Sequence, residues 1–250
     1  MDARPRVCNQ PGSFDTESDE KPRFFFLHVM KTGGSTLRWQ IYNHFPRGRV
    51  YPDPSHDQPL FRANTDVPYL REQAAARSEE ICGYTGHFPF AAIDLIAQDL
   101  VSFTIVRDPV ERTISYLKQA RRYLPQFRGA SLEDVYEDPV QFVCFIQNHQ
   151  SKIFSMTAQD GVSGILDHVE VDQARLTFAK SNLDRVDLVG VHERYDEFHR
   201  RLRSLTGWEL QPVPPQRVSE RTDVPPSLRR RIERDNAADL AFYEYARERF

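Results

Sequence analysis

Residues 31 to 36, Lys31-Thr32-Gly33-Gly34-Ser35-Thr36, gather one cation, three hydroxyls and two glycines into a single short segment. That combination can hold an anion. Glycines let the backbone turn tightly and expose its N–H groups. A helix starting there adds its dipole and its unpaired first-turn N–H groups, and Lys31 adds a positive charge. The expected guest is a phosphate or a sulfate. The nucleoside triphosphate loop G-x-x-x-x-G-K-[ST] places its lysine after the glycines. Here Lys31 precedes Gly33 and Gly34, and no glycine lies upstream within the loop. The plain alternative is a glycine-rich turn with an incidental lysine.

A second set is Arg107 and Ser115, eight positions apart in Arg107-Asp108-Pro109-x-x-Arg112-x-x-Ser115. A side chain at a strand end and one two turns into the following helix can converge on one ligand group. Arginine offers a planar fork that suits phosphate, and serine adds a hydroxyl. Two anion sites side by side would suit a ligand with two separated anionic ends. Taken singly, Arg107 could pair with Glu111, and Ser115 could be an ordinary helix serine.

Both sets need elements to hold them. Residues 23–29 (Arg23-Phe24-Phe25-Phe26-Leu27-His28-Val29) and 100–106 are continuous apolar runs without alternation. Such runs read as strands buried on both faces. A weaker strand is expected at 81–84 and a further strand at 186–191. Helices are expected over 35–45, 91–98, 109–123, 171–182, 196–205 and 227–250, with one or two more in 131–155, broken near Asp138-Pro139. Asp108 as N-cap, Pro109 at the first helical position and Glu111 two further on form a capping-box-like start. Residues 49–68, rich in Pro, Asp and Asn, read as a long loop, and 211–226 reads as another. Alternating strands and helices predict an α/β, three-layer P-loop-like fold with a central, mostly parallel sheet flanked by helices. Ligands of such sheets bind at the carboxyl ends of the strands, where both sets fall. Residues 1–21 read as a disordered tail and 22–250 as one domain.

The net charge of −3 argues against a general nucleic-acid binder. Cys8, Cys82 and Cys144 show no paired spacing, so neither a disulfide framework nor a cysteine-built metal site is expected, and a reducing, cytoplasmic setting is. No transmembrane run and no signal peptide are read from the sequence. Arg outnumbering Lys suggests a GC-rich bacterial source.

At this point the chain resembles the sulfotransferases that use 3′-phosphoadenosine 5′-phosphosulfate (PAPS), in particular the Golgi carbohydrate sulfotransferase type and its bacterial relatives. Their first loop reads H-x-P-K-T-G-G-T-S; here it is His28-Val29-Met30-Lys31-Thr32-Gly33-Gly34-Ser35-Thr36, with Met30 in place of proline. The resemblance implies that Lys31, Thr32, Gly33, Gly34, Ser35 and Thr36 bind the 5′-phosphosulfate, and that Arg107 and Ser115 bind the 3′-phosphate. Further segments look similar: Tyr84-Thr85-Gly86-His87-Phe88-Pro89-Phe90, Asn148-His149-Gln150-Ser151-Lys152, and Val189-Gly190-Val191-His192-Glu193-Arg194-Tyr195. More loosely, Arg217, Ser219 and Arg221 sit where relatives close a loop over the nucleotide.

Sulfuryl transfer needs a base for the acceptor proton and positive groups for the leaving phosphate. Lys31 is the expected stabiliser, with Ser115 able to hydrogen-bond it, and no metal is demanded. The expected base is His87, because an unperturbed histidine accepts a proton near neutral pH. Its plainer reading is a turn histidine. Glu79, Glu80 and His149 are fallbacks, and His28 is expected to be structural. Tyr51, Tyr123 and Phe127 could stack on a sugar or pack in the core. The acceptor is expected to be a carbohydrate hydroxyl, with a peptide tyrosine or a lipid or polyketide alcohol open. Rival readings are a P-loop kinase or NTPase, with Asp108 mimicking a magnesium-binding acid, and a non-catalytic nucleotide binder on the same fold.

Overall fold

Three phenylalanines in succession divide the molecule into layers. Alternate residues of a strand point to opposite faces, and in the first strand, β1 (Arg23–Leu27), Phe24 and Phe26 join one apolar cluster while Phe25 and Leu27 join another. All four are fully buried. Helices must therefore cover both faces. The computed structural model describes residues 23–96, 99–160, 164–214 and 223–250. The tail 1–21, with Cys8, lies outside them.

After β1 come α1 (Gly34–His44), β2 (Val50–Tyr51), α2 (Leu60–Thr65), α3 (Val67–Ala76), β3 (Gly83–Gly86), α4 (Ala91–Ile96), β4 (Leu100–Val106) and α5 (Pro109–Tyr123). Then follow α6 (Leu132–Glu137), the short turn α7 (Pro139–Gln141), a π-helical stretch Phe142–Ile146, α8 (His149–Ser155), α9 (Gln173–Asp184), β5 (Leu188–Val191), α10 (Tyr195–Thr206), α11 (Pro226–Asp235) and α12 (Ala237–Arg249). The sheet order is β2-β3-β1-β4-β5, and every pair is parallel.

One face carries Leu37 and Ile41 of α1, Phe198 and Leu202 of α10, and Trp208, packed on Phe24, Phe26, Phe103 and Ile105. The other carries Leu70 of α3, Phe154 of α8, Leu183 of α9 and Phe242 of α12, packed on Phe25, Leu27 and Tyr84. Each fully buried phenylalanine contributes on the order of 2 kcal/mol, so this repeat dominates the sheet centre. A third cluster joins α5, α6 and α11 beside the sheet. Polar residues on β4 are satisfied within the sheet: Thr104 donates to Leu27 O at 2.8 Å, and Ser102 meets Asp187 at 2.8 Å.

The stretch 49–68 is not one loop. It contains β2 and α2, and Asp66 caps α3 by accepting the Tyr69 N–H, with Pro68 in the first turn. Its prolines punctuate short elements instead of excluding them. The start of α5 also differs in part from expectation. Asp108 accepts the Glu111 N–H at 2.9 Å, as a cap should, but the Glu111 carboxylate reaches outward to Arg229 at 2.8 Å. Half of the capping box is present.

The topology fixes where a ligand belongs. After β1 the chain crosses towards β2 and β3, whereas after β4 it crosses the other way to β5. Adjacent strands whose connections part in opposite directions leave a crevice at their carboxyl ends. The loops after β1 and β4 are the two anion sets.

Candidate anion-binding site at the β1–β4 crevice

The first loop is built from strained backbone. Lys31 has φ 69° and Gly33 has φ 90°, both left-handed. For a residue with a side chain that conformation costs about 1–2 kcal/mol, so something must hold Lys31. Its carbonyl accepts from Arg107 Nη1 at 3.1 Å. A hydrogen bond to a charged group contributes about 1.5–3 kcal/mol, enough to offset the strain. The second set therefore braces the first.

Two glycines let α1 begin here. A Cβ on Gly33 would lie 2.8 Å from His192 Cδ2, and one on Gly34 would lie 2.3 Å from His28 Cδ2. No side chain caps α1, and its first turn carries no acid. The Thr36 N–H donates to Gly33 O at 3.3 Å, while the dipole and the start of the first turn face the crevice without a capping side chain. Thr32 is turned away: its hydroxyl is buried and donates to Val29 O at 2.9 Å. That hydroxyl is engaged within the loop itself.

Arg107 follows β4 directly. Its Nε is buried and without a partner among the described residues, an unmet donor where a phosphate would supply the acceptor. Burial lowers the Arg107 pKa, while Glu111, Glu193 and Asp108 pull it back up. The alternative in which Arg107 pairs with Glu111 gives way to the Glu111–Arg229 bridge. Ser115 is buried in α5.

His87 stands one residue past β3, at the same sheet edge. Its Nδ1 lies 2.8 Å from His28 O, and its own N–H donates to Asn64 O at 2.7 Å. A ring nitrogen facing a carbonyl carries the proton, which leaves the lone pair on Nε2. The ring also leans on His28, with centroids 4.6 Å apart. His28 is buried and stacked on Phe26, as expected of a structural residue.

The fallback bases are misplaced. Glu79 and Glu80 precede β3, so they lie at the amino ends of the strands, and Glu80 meets Arg77 there. His149 is fully buried, faces Cys144 O, and burial holds its pKa well below 6.5. The aromatics also resolve. Tyr51 and Phe127 are buried in apolar packing. Tyr123 is exposed, but it ends α5, about 20 Å along the axis from the sheet edge. Arg217, Ser219 and Arg221 lie outside the described residues.

Sequence reasoning missed His192. It follows β5, lies over Gly33, and burial, helped by Arg107, lowers its pKa. Its position just past a strand was the available signal. Among the described residues no cluster of His, Cys, Asp or Glu is arranged to hold a metal, and no helix is long and apolar enough to cross a membrane.

The fold is α/β and P-loop-like, and it brings both candidate anion segments to one crevice. Among solved structures, the chain is similar to the sulfotransferase from Alicyclobacillus acidocaldarius, with TM-score 0.50 and 17% identity, over 93% of this chain and 98% of that one. That likeness is one of fold. No protein-family model matches the chain, and no curated protein matches it.

Proposed function

We propose that the chain is a sulfotransferase that moves a sulfuryl group from PAPS to an acceptor hydroxyl. The observation that carries this is the bridge from Arg107 to the Lys31 carbonyl, which joins two anion-holding segments at the switch point of the sheet. A ligand with two separated anionic ends suits such a pair. The fold of the Alicyclobacillus enzyme adds support.

PAPS would supply the sulfuryl group. In this reading the loop from Lys31 to Thr36 holds its 5′ end, while Arg107 and Ser115 hold its 3′-phosphate. The Lys31 ammonium and the first-turn N–H groups of α1 offset the charge that grows on the leaving phosphate. His87 takes the acceptor proton at Nε2, and His28 O keeps that tautomer. The acceptor is proposed to be a carbohydrate hydroxyl, on the resemblance of the motifs. Among the described residues, Cys82 and Cys144 are not joined in a disulfide, which is compatible with a reducing, cytoplasmic setting. The kinase reading is disfavoured because the Asp108 carboxylate is engaged as the cap of α5.

The test is calorimetry with 3′-phosphoadenosine 5′-phosphate (PAP), the desulfated product, in EDTA. The wild type should bind, and Arg107→Ala should bind about tenfold or more weakly, roughly 1.4 kcal/mol. His87→Ala should keep that affinity while sulfuryl transfer falls by about 10²–10⁴-fold. A wild type that ignores PAP but binds ATP with magnesium would sink the proposal.

A further inference from the structure

The sheet ends at Val106, the last residue of β4 paired to β5. Arg107 emerges past that rung, and its main-chain groups need other partners. Gln150 supplies both. Its Oε1 accepts the Arg107 N–H at 3.0 Å, and its Nε2 donates to the Arg107 carbonyl at 2.8 Å. A side-chain amide thus stands in for the missing strand.

Gln150 is itself immobilised. It is fully buried, and its backbone N–H donates to Asp239 Oδ2 at 3.0 Å. Asp239 also accepts from the Ser151 N–H at 2.7 Å and the Ser151 hydroxyl at 2.6 Å. In return, Asn148 Oδ1 accepts the Ala238 and Asp239 N–H groups, each at 3.1 Å. Side chains from the start of α8 and the start of α12 therefore cap each other's helix. Buried, mutually satisfied polar groups of this kind are rigid and specify one arrangement.

We propose that Gln150 is a positioning residue for Arg107, fixing the main chain from which the guanidinium reaches the Lys31 carbonyl and the anion crevice. This role rests on the function proposed above. It explains why an amide is buried here: a guanidinium on a long flexible stem is useful only if its base is fixed, since a displacement of about 1 Å can cost on the order of 10²-fold.

The test is a double-mutant cycle read by PAP calorimetry in EDTA. Arg107→Ala keeps the main chain that Gln150 grips but removes the guanidinium. Gln150→Leu should weaken PAP binding about tenfold in the wild-type background and less than about twofold on top of Arg107→Ala. Affinity for 5′-AMP, which keeps the 5′ end but lacks the 3′-phosphate, should fall by less than that for PAP in each variant, because it loses only the Arg107 brace on the Lys31 loop. If Gln150→Leu does not fold, as judged by circular dichroism, Gln150→Asn takes its place, retracting the amide by one methylene with the same expected result. Equal losses in both backgrounds, or undiminished binding by a folded Gln150 variant, overturn the positioning role alone. A wild type that does not bind PAP overturns the proposed function and this role with it.

Discussion

Helices α1 and α5 both spring from the carboxyl end of a central strand, yet they begin in opposite ways. At the N-cap α1 has Gly33, left-handed and without a capping side chain, where α5 has Asp108, whose carboxylate takes the Glu111 N–H. At the first helical position α1 has Gly34 and α5 has Pro109. The first turn of α1 has no acid, whereas that of α5 has Glu111. One helix end has no side-chain cap and the other is closed by one. An open end can offer N–H groups and dipole to an anion. A closed end cannot, and α5 contributes instead the side chains beside it, Arg107 and Ser115. In the proposed reading, equivalent positions in one sheet would thus hold anions by backbone in one case and by side chain in the other.

The comparison breaks most sharply at Gly34. A Cβ there would meet His28 Cδ2 at 2.3 Å, His28 Nε2 at 2.6 Å and Phe26 Cζ at 2.9 Å. Both rings are buried and stacked, so neither can move aside freely. Gly34→Ala should lower stability by about 1–3 kcal/mol, the usual cost of overpacking. PAP affinity should fall as well, because the loop must shift. Urea unfolding and calorimetry on the same sample decide it. A variant matching the wild type in both would show that the close approach of α1 is not required.

Ser35→Asp sharpens the comparison, because its two effects have opposite signs. A carboxylate in the first turn of an uncapped helix favours that helix by about 0.3–1 kcal/mol. The same charge competes with the proposed phosphosulfate. Thermal stability should rise slightly while PAP affinity falls about tenfold or more, roughly 1.4 kcal/mol. Unchanged affinity would mean that the open end of α1 is not where the anion sits.

Much of this contrast was legible beforehand. The lysine, glycines and hydroxyls of the first loop lie in one segment, and Asp108-Pro109 is a local cap signal that the structure repeats, apart from the outward turn of Glu111. The same kind of signal, Asp66 with Pro68, opens α3, but it was hidden inside a proline-rich stretch read as loop. What could not be read was contact between distant residues. His28 O sets the tautomer of His87 from 59 positions away, and Gln150 grips Arg107 from 43 positions away. No local spacing encodes such pairs. Burial also removed candidates that residue type had left open: Tyr51, Phe127 and His149 are aromatic or basic in kind, but packed away in fact.

The smallest expected effect comes from Asp108→Ala, and it tests the closed helix. Losing an N-cap carboxylate costs about 0.5–2 kcal/mol, typically about 1. That stability should be lost, since the Asp108–Glu111 bond at 2.9 Å is the cap observed. PAP affinity, in contrast, should stay within about threefold, because the N–H groups of α5 take no part in holding the anion. The reading of Asp108 as a magnesium-binding acid predicts the reverse: intact stability, and nucleotide binding that collapses only in the presence of magnesium. Urea midpoints with and without PAP, each measured in EDTA and in magnesium, separate the two. A cap acts on the folding equilibrium whatever the ligand, whereas a ligand-holding acid acts only when the ligand is there.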